Sequence, residues 1–203
     1  MVRPYQARER QKQVDAGRER IIAAARELLD DDEGEAFSID AVARHAGVAR
    51  MTVYNQFESK AGLLEDLFDS IAERGAFGQM AEVFAIEDPD KALDAFVDLF
   101  GRFWTNSRRA HKKLRAAALL DEDLEKAITA RNERRRLGIA ELVRRIAKSR
   151  KLAMPRDEAI AALFVVMSFD TFDALAGPDR SPTDVTPTIR RLVRLVTGAL
   201  RYE

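Results

Sequence analysis

Between Arg50 and Gln56 the chain gathers side chains able to read a base edge. Arg50, Thr52, Asn55 and Gln56 carry hydrogen-bond donors and acceptors, and Met51 adds an apolar contact. Arginine makes a two-pronged bond to guanine, asparagine and glutamine do the same to adenine, and an apolar group can meet the thymine methyl, all in the major groove. That chemistry requires one short helix presenting these residues together. A helix so short does not persist alone in water, so neighbouring elements must hold it.

Those elements are legible on either side. Ser38 has the hydroxyl of an N-cap and Asp40 complements the positive end of a helix. Ile39, Val42, Ala43 and Ala46 then recur at helical spacing as a narrow apolar stripe. Gly47 follows the stripe, where a helix commonly ends in a left-handed residue. Val48, Val53 and Phe57 are expected to pack back on that first helix, leaving Arg50, Met51, Thr52, Asn55 and Gln56 outward. A bracing helix over 15–30 buries Ile21, Ile22, Ala25, Leu28 and Leu29. Another, opening at Ser59 or Lys60, carries Leu63, Leu64, Leu67, Phe68 and Ile71 until Gly75 and Gly78 interrupt it. The last of these helices is expected to act as a rod from the motif into the following domain.

The stretch IDAVARHAGVARMTVYNQFESKAGLLEDLF resembles the DNA-binding domain of the TetR family of transcriptional regulators, over roughly residues 14 to 72. The likeness rests on the Ala46-Gly47-Val48 turn, on Thr52, Tyr54, Phe57 and Lys60 at the family spacing, and on the leucines that follow. Three positions depart from the pattern: Ala49 stands where a capping serine is usual, Met51 where a smaller residue is common, and Gly62 where an acid often completes a capping box with Ser59. The resemblance implies that Ser38, Tyr54 and Lys60 meet phosphates while Arg50, Met51, Thr52, Asn55 and Gln56 meet bases. It also implies a homodimer with a ligand pocket.

Composition restricts the alternatives. The chain has 203 residues, 46% of them hydrophobic and 33% charged, with a formal net charge of +0. This is the profile of a globular protein. It has no cysteine, so disulfides, thiolate metal sites and cysteine nucleophiles are unavailable. His45 and His111 are the only histidines, and with no cysteine the chain lacks the clustered soft ligands of a structural zinc site, while a catalytic dyad built on His45 would share the space of the helix-turn-helix. We therefore expect no enzyme, no cofactor and no metal. No run reaches the length of a membrane span and the start has no apolar leader, so a cytoplasmic location is expected. Five acids crowd at Asp30, Asp31, Asp32, Glu33 and Glu35, a cluster expected to point away from phosphates. Arg3, Arg8, Arg10 and Lys12 make a basic arm, read as a solvated tail in preference to one that reaches the minor groove.

Beyond the motif, Asp88-Pro89 starts a helix bearing Leu93, Phe96, Val97, Phe100, Phe103 and Trp104. Helices are expected over 108–120 and 121–151, the latter with a stripe of Leu137, Ala140, Val143 and Ala147. Arg131, Arg134, Arg135 and Arg136 crowd this helix and are read as a solvated face rather than an anion site. One helix over 155–176 is apolar nearly all round, and a last helix begins at Thr186-Pro187 and runs to Leu200. The two are expected to form a four-helix dimer interface through Val166, Phe169, Ile189, Val193, Val196 and Ala199. Asp170 and Asp173 must be satisfied by Arg190, Arg191 or Arg194, by exposure at the interface edge, or by lining a ligand pocket. A cavity for a small hydrophobic ligand is expected among Phe68, Phe100, Trp104, Leu119, Phe164 and Met167.

The expected architecture is all-α with about nine helices: a flexible basic arm over 1–14, a three-helix helix-turn-helix domain over 15–60, and a helical ligand-binding and dimerisation domain over 61–203. The expected function is a transcriptional repressor that binds palindromic double-stranded operator DNA as a homodimer and is released by ligand, with no membrane partner. The alternative is a helical interaction module or scaffold without sequence-specific DNA binding. Selection from random duplexes separates them, because only a base-reading domain enriches one palindrome.

Overall fold

A computed structural model describes residues 4–31, 35–74 and 77–199. Arg3, Asp32, Glu33, Gly75 and Leu200, and the side chains of Arg8 and Arg10, lie outside the described residues. Among those described there are eleven α-helices, two short 3-10 turns and no strand. The chain divides into two compact units, one of Met1–Ile71 with Arg109–Ile128, the other of Ala72–Arg108 with Thr129–Glu203.

The first unit holds α1 (Pro4–Asp30), α2 (Ile39–His45), α3 (Arg50–Phe57), α4 (Lys60–Arg74) through Ile71, α7 (Arg108–Ala118) from Arg109, and the start of α8 (Glu122–Ser149). The buried side of α1 is Ile21, Ile22, Ala25, Leu28 and Leu29, and that of α4 is Leu63, Leu64, Leu67, Phe68 and Ile71. Arg18 of α1 ties three pieces together. Its Nε donates to Asp66 at 2.6 Å, its Nη1 to the Gln56 carbonyl at 2.5 Å, and its guanidinium lies 4.4 Å from the Phe57 ring centroid. The open carbonyls at the end of α1 are taken by Lys113, which donates to Leu28 at 2.9 Å and also to Asp31.

The segment expected as a free arm is helical from Pro4, so α1 starts eleven residues before the expected Asp15. Proline fits a first turn, where its missing N–H costs nothing. No breaker follows until Gly17, and the side-chain pairs Gln11–Asp15 at 2.8 Å and Lys12–Glu9 at 3.4 Å sit at helical spacing.

The second unit is built on α6 (Pro89–Asn106). Asp88 accepts from the N–H groups of Asp90 at 2.9 Å and Lys91 at 3.2 Å, Pro89 opens the helix, and all six expected apolar residues are buried. A chain of rings runs along it, Phe96 to Phe100 at 4.8 Å and Phe100 to Trp104 at 5.5 Å between centroids. It is prolonged by Phe84 of α5 (Met80–Ala85) at 6.0 Å and by Phe169 at 5.6 Å. Around it stand the remainder of α8, α9 (Arg156–Val166), α10 (Phe169–Ala176) and α11 (Thr186–Thr197).

Three expectations about this unit are corrected. The apolar helix over 155–176 is two helices bent by 49°, because the Ser168 hydroxyl caps α10 through the Thr171 N–H at 3.2 Å while Thr171 donates back to the Val165 carbonyl at 2.7 Å. The buried stripe of α8 is Ile139, Leu142, Val143 and Ile146, whereas Leu137 is 69% exposed, so of the expected stripe only Val143 belongs to the core. Asp173 pairs with Arg108 at 2.5 Å rather than with α11, whose Arg190 and Arg194 pair with Asp98 and Asp94 of α6. No single described helix is long and apolar enough to cross a membrane.

Candidate nucleic-acid interface

The helical hairpin of α2 and α3 is closed by local chemistry. The Ser38 hydroxyl accepts from the Ala41 N–H at 3.1 Å. Ile39, Ala41, Val42 and Ala43 are buried, and Gly47 takes φ 66°. The Val48 N–H then returns to the Ala43 carbonyl at 3.0 Å, which sets the turn. Ala49 makes no side-chain cap for α3. Val53 and Phe57, 1% and 3% exposed, hold α3 against the unit's core. On the far side Arg50 and Asn55 are exposed, Met51 is 66% exposed, and Thr52, Tyr54 and Gln56 are half-buried.

Arg50 is already oriented. Its Nη1 donates to both carboxylate oxygens of Asp40, at 3.1 and 3.0 Å, and its Nη2 lies 3.4 Å from the Tyr54 hydroxyl, with the guanidinium 5.7 Å from the Tyr54 ring centroid. The Tyr54 hydrogen bond and the Asp40 charge raise its pKa further. Gln56 departs from the outward position expected of it. Its amide nitrogen lies 3.5 Å from where a Cβ on Gly17 would stand, so it leans toward α1.

Lys60, at the start of α4, forms an ion pair with Asp121, both side chains being 21% exposed. Asp121 also caps α8, accepting from the Leu124 N–H at 3.2 Å. Burial opposes its ionisation, but the Lys60 and Leu124 hydrogen bonds outweigh burial and hold the carboxyl below its ordinary range. Ser59 caps α4 through the Gly62 N–H at 3.1 Å, half of the box the sequence lacks. Neither Asp40 nor Asp121 could be singled out from sequence as partners of Arg50 and Lys60, because the pairings span ten and 61 positions.

The other expected site residues are distributed as follows. Phe68 and Leu119 belong to the first unit, and Phe100, Trp104, Phe164 and Met167 to the second. Leu119 is a correction: it is 85% exposed in the turn after α7, since the helix ends one residue earlier, and so does not belong to an apolar interior. Phe169, Ile189 and Val193, expected at a dimer interface, are 6%, 0% and 0% exposed and form this chain's own core. The solvent side of α9 carries Val165, 62% exposed, with Ala161 exposed and Val166 half-buried, while Val196 of α11 is half-buried and Ala199, just past the end of that helix, is exposed. Among the described residues no three His, Cys, Asp or Glu side chains could hold a metal.

A family model described as bacterial regulatory proteins, tetR family, matches residues 21–67. The chain is 37% identical over 90 residues to the HTH-type transcriptional regulator AlkX of Mycobacterium tuberculosis, covering 44% of this chain and 42% of that protein. It is 32% identical over 81 residues to the HTH-type transcriptional regulator EthR of Mycolicibacterium smegmatis, covering 39% and 37%. The matches therefore span less than half the length of these relatives. In fold the chain is similar to a TetR transcription regulator from Haloarcula marismortui, with a TM-score of 0.67 and 18% identity over 92% of this chain and 98% of that one. The capped α2, the glycine turn and the α3 pinned by Val53 and Phe57 fall within the matched residues, and this helix-turn-helix segment is what the chain shares with the tetR family of bacterial regulatory proteins.

Proposed function

We propose that the chain is a ligand-responsive transcriptional repressor that binds palindromic operator DNA as a homodimer and leaves it when a small, largely apolar ligand binds the second unit. One observation carries the reading: α3 buries Val53 and Phe57 and turns Arg50, Met51 and Asn55 to solvent, a short pinned helix with base-reading side chains on its free face. Ser38, Tyr54 and Lys60 take phosphate contacts in this reading, which fix register without carrying sequence information. The second copy docks on the solvent side of α9 and α11, around Ala161, Val165, Val196 and Ala199. A family in which regulators carry this domain supports the DNA-binding part of the reading.

Selection from a pool of random-sequence duplexes tests it. Enrichment of one palindrome whose half-sites are about one helical turn apart, roughly 34 Å, is expected of two symmetric reading helices. An unenriched pool would leave the helices as scaffolding.

A further inference from the structure

Arg135 is a buried cation whose hydrogen bonds do not reach a carboxylate. It is 7% exposed; Nη1 donates to the Phe164 carbonyl at 3.0 Å, Nη2 reaches the Asn132 side-chain oxygen at 3.4 Å, and the buried Nε has no partner. Its guanidinium stands 4.2 Å from the Phe164 ring centroid, and that of Arg136 stands 4.3 Å from the same centroid. Two like charges are thus gathered on one ring. Arg136 has only a long contact to Glu133, at 3.4 Å, and keeps 40% of its side chain exposed. Burial lowers the Arg135 pKa to about 10, Arg136 adds to the drop, and Asp170 opposes it.

A cation taken from water is normally repaid by a hydrogen-bonded anion, and a hydrophobic side chain of similar volume generally packs such a position at lower cost. Retaining arginine here, with a second arginine beside it, is the arrangement of a site that receives its anion from outside. The surroundings indicate what else the ligand carries. Three residues along the same face of α8, Gly138 lies against the Phe96 ring, 3.2 Å from where a Cβ would stand, so the ring chain of α6 backs this position. Phe164, against both guanidiniums, is half-buried and Arg136 partly exposed, so these two face solvent while Arg135 lies buried behind them. The nearby Asp170 charge works against a doubly charged guest and favours a singly charged one.

We propose that Arg135, Arg136 and Phe164 form the acid-recognising end of a ligand site, and that the ligand is a monocarboxylate with an apolar body. The proposal rests on reading the second unit as ligand-binding. Decanoate, 1-decanol and acetate serve as probes of charge with tail, tail alone and charge alone. Thermal unfolding and titration calorimetry of the full chain are expected to show a saturable stabilisation by decanoate only, because a ligand of the folded state raises its apparent stability. Arg135→Met should weaken decanoate binding at least about tenfold, as loss of a charge-assisted bond does, without lowering the melting temperature of the unliganded chain. Arg136→Met should also weaken it, by a smaller factor. Equal stabilisation by decanol, no response to decanoate, or undiminished decanoate binding in both variants would each overturn the proposal. If decanol binds as well, the second unit still takes apolar ligands and only the acid site falls. If decanoate binds through Arg135 yet leaves the DNA affinity of the chain unchanged, the acid site stands and the ligand-responsive reading falls.

Discussion

Lys60 and Asp121 form an ion pair that joins the first turn of α4 to the first turn of α8, and each is about four-fifths buried. In the proposed complex Lys60 also meets a phosphate, so Asp121 and DNA share one ammonium group. Asp121→Asn removes the competing charge while keeping a side chain that caps α8 as well as aspartate does. It is expected to tighten binding to any duplex and to steepen the salt dependence, as a lysine released to phosphate adds up to about one counterion. Lys60→Ala should weaken binding on all sequences alike and flatten that slope by about one. Mobility-shift titrations at several salt concentrations decide the matter; unchanged affinity in Asp121→Asn would mean the two partners do not compete.

Arg50 is expected to read rather than to position. Arg50→Ala should relax preference at one base pair by about tenfold or more while other positions keep theirs. Asp40→Asn, which loosens the orientation of Arg50 without touching DNA in this reading, should blur the same base pair to a smaller degree. Repeating the duplex selection with each variant gives the comparison, and a uniform loss over all positions would assign Arg50 to the phosphates.

Dimerisation should be separable from folding. Val165→Glu places a charge on the solvent side of α9 and is expected to give folded monomers with little operator affinity. Val193→Asp buries an unpaired charge in this chain's core and should prevent folding altogether. Sedimentation and circular dichroism read the two outcomes, and a dimeric Val165→Glu would move the interface elsewhere.

The turn between α3 and α4 depends on Gly62. A Cβ there would stand 2.2 Å from the Phe57 carbonyl oxygen, a backbone atom that cannot step aside. Gly62→Ala should cost about 1–3 kcal/mol, within the usual range for a strained backbone position, seen as a lower urea midpoint. An unchanged midpoint would show that the turn can relax.

Acid should loosen the helix starts together. Asp88 is held below its ordinary range by the Lys91 and Asp90 N–H groups, and Asp184 by the Ser181 N–H and hydroxyl. For both, the folded pKa is below the unfolded value of about 4, so their stabilisation is complete above that pH and is lost as pH falls through the folded values. Melting temperatures should be level above about pH 5 and decline below about pH 4, with a shallower decline in Asp88→Asn. A pH profile identical to that of the parent chain would remove Asp88 from this account.

What could be read in advance was what is encoded within a turn or two. Ser38, Gly47 and Asp88-Pro89 announce their caps because the capping groups are neighbours in sequence, and the stripes of α1, α4 and α6 have unambiguous phase. The break at Ser168 was hidden because an all-apolar segment has no phase to interrupt, and two hydroxyls, of Ser168 and Thr171, decide it. That same lack of phase hid which side of α9 faces inward. On α11, Ile189 and Val193 are as apolar as Val196, and only the packing of α6 determines that the first two are interior. Arg135 looked like one of a solvated group, since its burial depends on where Phe164 of another helix arrives.

Met51 and Asn55 project from α3 while Val53 and Phe57 anchor it, and this division separates vocabulary from grammar. In the proposed reading, the residues that choose a base sequence bear almost none of the folding load, so they are free to drift. A duplicate copy of such a gene could acquire a new target through one or two exchanges at these positions without passing through an unfolded intermediate. For the same reason the domain is a practical chassis for retargeting: libraries randomised at Arg50, Met51 and Asn55 should remain mostly folded, whereas randomising Val53 or Phe57 would spend the library on chains that never form a helix-turn-helix.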